Sequence, residues 1–112
     1  MFLLPLVLIL TAPALADAVP LTAGDHTITL NHDGRERSVI VHVPQRAAER
    51  PPPLSVVLNF HDGGGHGAQQ KEYSLLDALA DRENFLAVYP NGTGRLSGRL
   101  LTWNAALAAL TR

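Results

Sequence analysis

Apolar residues follow different spacings in successive stretches of the chain, and each spacing predicts a different element. Phe2 to Leu10 (FLLPLVLIL) is apolar without a break, and Ala14-Leu15-Ala16 follows with the small-x-small pattern of a signal-peptidase site. A run this short falls below the ~20 residues of a bilayer span, so residues 1–16 read as a secretory signal. Asp17 then opens a mature chain that is expected to be secreted, extracellular or periplasmic, with no stable membrane span after cleavage.

From Asp25 to Asn31, Ile28 and Leu30 alternate with polar neighbours, the period of a half-buried strand. Asn31-His32-Asp33-Gly34 is a turn, with Asp-Gly as the hairpin signal. Arg35 to Val43 alternates again, Val39, Val41 and Val43 on one face and Ser38, Ile40 and His42 on the other, and Pro44 stops it. Residues 45–53 (QRAAERPPP) form a stiff surface connection. Leu54 to Phe60 (LSVVLNF) is nearly continuous in apolar and β-branched residues, which predicts a strand covered on both faces. A glycine-rich loop occupies 61–68 (HDGGGHGA). Leu75, Leu76, Leu79 and Ala80 then recur at helical spacing and predict one helix over 71–83. Phe85 to Tyr89 is a second buried-type strand, Asn91 to Gly98 a turn-rich loop, and Leu100 to Thr111 an apolar, alanine-rich stretch with helical character. The order hairpin, strand, helix, strand predicts an α/β fold in one domain over 17–112, with the two buried strands parallel.

Composition removes several function classes. A formal net charge of -1, with arginines scattered rather than clustered, favours neither nucleic acid nor an anionic membrane as partner. The absence of cysteine excludes disulfides, thiolate metal sites and a cysteine nucleophile.

Candidate chemistry sits in the glycine loop, at the carboxyl end of a buried strand, where open α/β sheets bind ligands. His61-Asp62-Gly63-Gly64-Gly65 lets backbone N–H groups turn outward into a nest for a negative oxygen. For a tetrahedral acyl intermediate such a nest is an oxyanion hole, with Asp62, Gly63 and Gly64 as backbone donors and His61 as loop support. Other readings stay open. Gly63-x-Gly65-x-x-Ala68 fits a loose dinucleotide fingerprint, but the next strand ends Tyr89-Pro90-Asn91 without the acidic residue that would hold a ribose. A plain tight turn would also suit the glycines. His61, Asp62 and His66 offer metal-type side chains, but no further ligands complete a shell, so no metal is expected. Trp103, the single tryptophan, is a candidate substrate contact or a packing residue.

With these residues in view, the chain resembles the polyhydroxybutyrate depolymerase and feruloyl esterase-like branch of secreted α/β-hydrolases. Residues 56–65 (VVLNFHDGGG), 75–90 (LLDALADRENFLAVYP), Asn91-Gly92 and Thr102-Trp103-Asn104-Ala105 carry the likeness, which spans about 24–105. Asp62 departs from it, standing where the family usually has glycine, and the text after Ala105 departs as well. The resemblance implies the N-terminal half of an α/β-hydrolase sheet, with the strand at 85–89 lying between the hairpin and the strand at 54–60. It implies a cofactor-free serine esterase acting on small or polymeric carboxylic esters through a Ser-His-Asp triad.

The triad itself is missing from these residues. Ser38, Ser55, Ser74 and Ser97 all lack the Gly-x-Ser-x-Gly frame of a nucleophile elbow, and all histidines precede the place where the family's catalytic histidine belongs. No catalytic residue is therefore assigned. The expectation is an N-terminal portion, truncated before the elbow and inactive alone. Its rival is a small secreted non-catalytic α/β module that binds an anion or carbohydrate through its glycine loop.

Overall fold

In the structure, a computed structural model, residues 22–48 and 53–103 are described. The expected signal at 1–16, residues 49–52 of the surface connection, and 104–112 lie outside the described residues.

The Asp-Gly turn does what its residue types dictate. Asp33 and Gly34 both take positive φ (53° and 75°), as a two-residue hairpin with the right twist requires. The turn joins β1 (Gly24–His32) to β2 (Arg35–Val43) in antiparallel register, with His32 opposite Arg35 and Gly24 opposite Val43. Pro44, which cannot donate to a ladder, ends β2 and leads into a short 3-10 turn at Gln45–Ala48. Two further strands, β3 (Val56–Leu58) and β4 (Leu86–Pro90), complete a mixed four-stranded sheet in the order β1-β2-β4-β3. β4 is antiparallel to β2 and parallel to β3. It thus lies between the hairpin and β3, the place anticipated for it.

Register decides which face each side chain takes. Ile40 lies opposite Tyr89, and His42 and Val57 both lie opposite Ala87. That face meets two helices, α1 (Gly67–Ser74) and α2 (Leu76–Glu83), which pack on β2 and β4. Its core is Ala80, Ala87 and Tyr89, flanked by Ile40, Leu76 and Phe85. Two alanines at the centre let the helix approach the sheet closely, and Tyr89 fills the space beside them.

Three expectations change. The strand expected over 54–60 is only three residues long, and it is not covered: Val56 and Leu58 are 55% and 56% exposed. Both helices lean on β2 and β4, so β3 forms an apolar edge. The single helix expected over 71–83 begins earlier and is broken at Leu75, whose φ of 54° is left-handed. The break re-aims α2, so that Asp77 reaches Lys71 and Tyr89 while Asp81 reaches His42. Finally, Leu100 to Trp103 is not helical. Thr102 pairs with Thr93 and Arg99 with Leu96 in a small antiparallel turn, because that segment finds backbone partners across the loop.

Candidate functional site

The glycine loop leaves β3 at its carboxyl end and is held from several sides. His61 is 3% exposed and works through both ring nitrogens. Its Nδ1 donates to the Asp62 carbonyl at 2.7 Å, which leaves Nε2 to accept from the Gly92 N–H at 3.0 Å. Trp103 covers the imidazole, with ring centroids 4.7 Å apart, and its Nε1–H donates to the His61 carbonyl at 2.7 Å. Phe60 meets Trp103 in an edge-to-face arrangement, ring centroids 5.1 Å apart. Both ring nitrogens of His61 are thus engaged with backbone groups of Asp62 and Gly92. Trp103, the candidate substrate contact, is placed as a brace of the same loop.

The three expected backbone donors divide. The Gly64 N–H donates to the Leu101 carbonyl at 2.8 Å, and Leu101 N–H returns a bond to Gly65 at 3.2 Å, so the loop is laced to the 93–102 turn. Gly64 is therefore corrected from a free donor to a committed one. The N–H groups of Asp62 and Gly63 form no hydrogen bond among the described residues. The Asp62 carboxylate folds over Gly65, where an added Cβ would meet its Oδ1 at 3.2 Å. It is thereby drawn along the loop rather than left extended.

Behind the loop, His66 caps α1 by accepting from the Gln69 N–H at 3.2 Å. The Gly67 N–H donates to Asn91 Oδ1 at 2.7 Å, and Asn91 Nδ2 in turn donates to Ser38 Oγ at 2.9 Å. Gly67 has to be glycine, since a Cβ there would come within 2.7 Å of the Tyr89 carbonyl oxygen. His61 and His66, considered together as metal-type residues, are both engaged in holding backbone.

Sequence reading missed a second cluster on the helix face. His42 Nδ1 bonds Asp25 at 2.6 Å and Nε2 bonds Asp81 at 2.8 Å. Lys71 bridges Asp25 (2.9 Å) and Asp77, and the Tyr89 hydroxyl donates to Asp77 at 2.6 Å. Asp81 is thus tied to β2, while Arg82 and Glu83 pair at the surface. Asp25, His42 and Asp77 bring ligand atoms within 4.8 Å of one another, but the Lys71 ammonium already lies between the two carboxylates. Lys71, and His42 when protonated, offset part of the charge of the three carboxylates, and the cluster ties the hairpin to both helices. No local motif signals it, because its members come from β1, β2, α1, α2 and β4.

Titration follows from this geometry. Burial alone would pull His42 down, but hydrogen bonds and charge from Asp25, Asp81 and Asp77 outweigh it and hold His42 above its ordinary 6.5. Burial and the Asp77 carboxylate together push the Tyr89 hydroxyl up. Burial would also raise Asp25, but Lys71 and His42 prevail and lower it. A raised histidine stabilises the fold fully below its unfolded value and loses that contribution as pH climbs through its folded value. Thermal midpoints are therefore expected to fall on going from about pH 6 to pH 8, and His42→Gln is expected to flatten that slope. An equal slope in the variant would remove His42 as the cause. The Asp25 contribution runs the other way, present above 3.8 and lost on acidification.

No known protein-family model matches the chain, and no curated protein matches it. Among the described residues, no helix is long and apolar enough to cross a membrane.

Proposed function

We propose that this chain is the N-terminal portion of a secreted serine esterase of the polyhydroxybutyrate depolymerase or feruloyl esterase-like kind, and that its glycine loop is the oxyanion half of the catalytic site. The observation that carries the reading is the pair of N–H groups at Asp62 and Gly63, which form no hydrogen bond among the described residues. They lie in a loop at the carboxyl end of a parallel strand, braced underneath by His61, Trp103 and Gly92. Two preorganised donors are what a developing alkoxide needs, and each is worth roughly 3 kcal/mol of barrier. The β1-β2-β4-β3 order, with an antiparallel hairpin ahead of parallel strands, supports an α/β-hydrolase sheet. So does the open β3 edge, where a further parallel strand would pair and cover Val56 and Leu58.

In this reading the ester carbonyl oxygen rests on Asp62 and Gly63, a serine outside these residues attacks, and no cofactor takes part. The purified chain is expected to hydrolyse p-nitrophenyl butyrate no faster than a heat-killed control. Serine-inhibitor-sensitive turnover would contradict this and make Ser97 the first residue to replace. The same donors would serve a non-catalytic module that holds an anion or carbohydrate. A Gly-x-Ser-x-Gly coding stretch beyond codon 112 separates the esterase from the module.

A further inference from the structure

The turn laced to the glycine loop leaves a cleft of about 420 Å³ between them, lined by Gly64, His66, Gln69, Leu96, Arg99 and Leu100. Its two walls differ in chemistry. The loop and the start of α1 supply polar atoms from His66 and Gln69. The turn supplies two apolar side chains and a cation.

Leu96 and Arg99 are bridge partners, with Ser97 and Gly98 at the corner, so their side chains project from one face of the turn. Leu96 is 48% exposed and Leu100 65%. Leu100 also holds a left-handed backbone (φ 52°), a conformation that costs a non-glycine residue about 1–2 kcal/mol. The neighbouring bonds enforce it: Leu101 is locked to Gly64 and Gly65, and Thr102 to Thr93. An exposed leucine in a strained backbone gains nothing for the fold at this position. Arg99 has no ion-pair partner among the described residues. A guanidinium beside two exposed leucines matches an amphiphile with one anionic end, the fork taking a carboxylate in two parallel bonds and the leucines taking the alkyl chain.

We infer that the cleft between Gly64 and the Leu96–Leu100 turn is a binding subsite for a short-chain carboxylate, with Arg99 as its cationic anchor. The inference rests on the esterase reading for its place beside the reacting ester. There it selects esters whose acid or alcohol part ends in a free carboxylate, held away from the carbonyl that meets Asp62 and Gly63.

The test is a titration of the 15N-labelled full chain with sodium butanoate, methyl butanoate and inorganic phosphate, followed through backbone amide shifts. Butanoate is expected to move the Gly64, Leu96 and Leu100 amides saturably, and the neutral ester and phosphate to bind more weakly. Arg99→Gln is expected to weaken butanoate about ten-fold, the loss of one charge-assisted pair, with Arg99→Lys in between because it keeps charge without the fork. Undiminished butanoate binding in Arg99→Gln, or phosphate binding as well as butanoate, overturns the subsite. Methylphosphonate, read at the Asp62 and Gly63 amides, reports on the esterase reading separately. A butanoate response at 96–100 without a methylphosphonate response at 62–63 keeps the subsite and removes that reading. The reverse pattern removes the subsite alone.

Discussion

Replacing Gly92 by alanine is expected to dismantle the glycine loop and lower stability by about 3 kcal/mol or more, toward the upper end for overpacking. An added Cβ would sit 2.3 Å from the Thr102 carbonyl oxygen and 2.9 Å from its carbon. Both are backbone atoms of a segment held by Thr93 on one side and, through Leu101, by Gly64 on the other, so no flexible side chain can yield. The Gly92 N–H would also be driven off His61 Nε2. Urea unfolding monitored through Trp103 measures the loss. A cost below about 1 kcal/mol would mean that the 93–102 turn can move as a body, and that Gly92 does not fix the loop.

His61→Ala follows as the second large effect, also about 3 kcal/mol. The substitution removes a nearly buried ring and leaves the Gly92 N–H and the Asp62 carbonyl without their partner. It also uncovers the inner face of Trp103, so the folded-state fluorescence is expected to shift to the red. Since Gly92→Ala and His61→Ala break the same contact, the double variant is expected to cost less than the two single losses together. Simple additivity would place the two residues in separate networks.

Much of the sheet was readable from local chemistry. Asp33-Gly34 between alternating segments admits little besides a two-residue hairpin, and Pro44 had to end β2. A strand, a glycine loop, leucines at helical spacing and a second strand dictate a parallel pair, which β3 and β4 form. What escaped depends on contacts distant in sequence. Leu75 has good helix propensity, yet the helix breaks there because Asp77 and Asp81 find Lys71, Tyr89 and His42 across the sheet face. Alanine-rich composition pointed to a helix from Leu100, but Thr93 and Gly65 offered backbone partners to Thr102 and Leu101 that no local propensity registers.

Legibility of the site had the same limit. Three consecutive glycines announce a loop whose N–H groups can face outward, and they drew attention to Asp62, Gly63 and Gly64 together. Only the tertiary position of Leu101 shows that Gly64 is spent on the fold, while the other two N–H groups meet no acceptor among the described residues. His61 was recognisable as support from its place beside the glycines. Its partner Gly92, and the Trp103 ring beside it, are 31 and 42 residues away and are joined to it only by folding.

The most direct test of the glycine loop as an oxyanion site is a methylphosphonate titration of the 15N-labelled chain, the tetrahedral anion standing in for the acyl intermediate. Saturable shifts at the Asp62 and Gly63 amides, with the Gly64 amide remaining bonded to Leu101 and slow to exchange with deuterium, are the expected result. Shifts confined to arginine-bearing surfaces, or a Gly64 amide that exchanges as freely as Gly63, would contradict it.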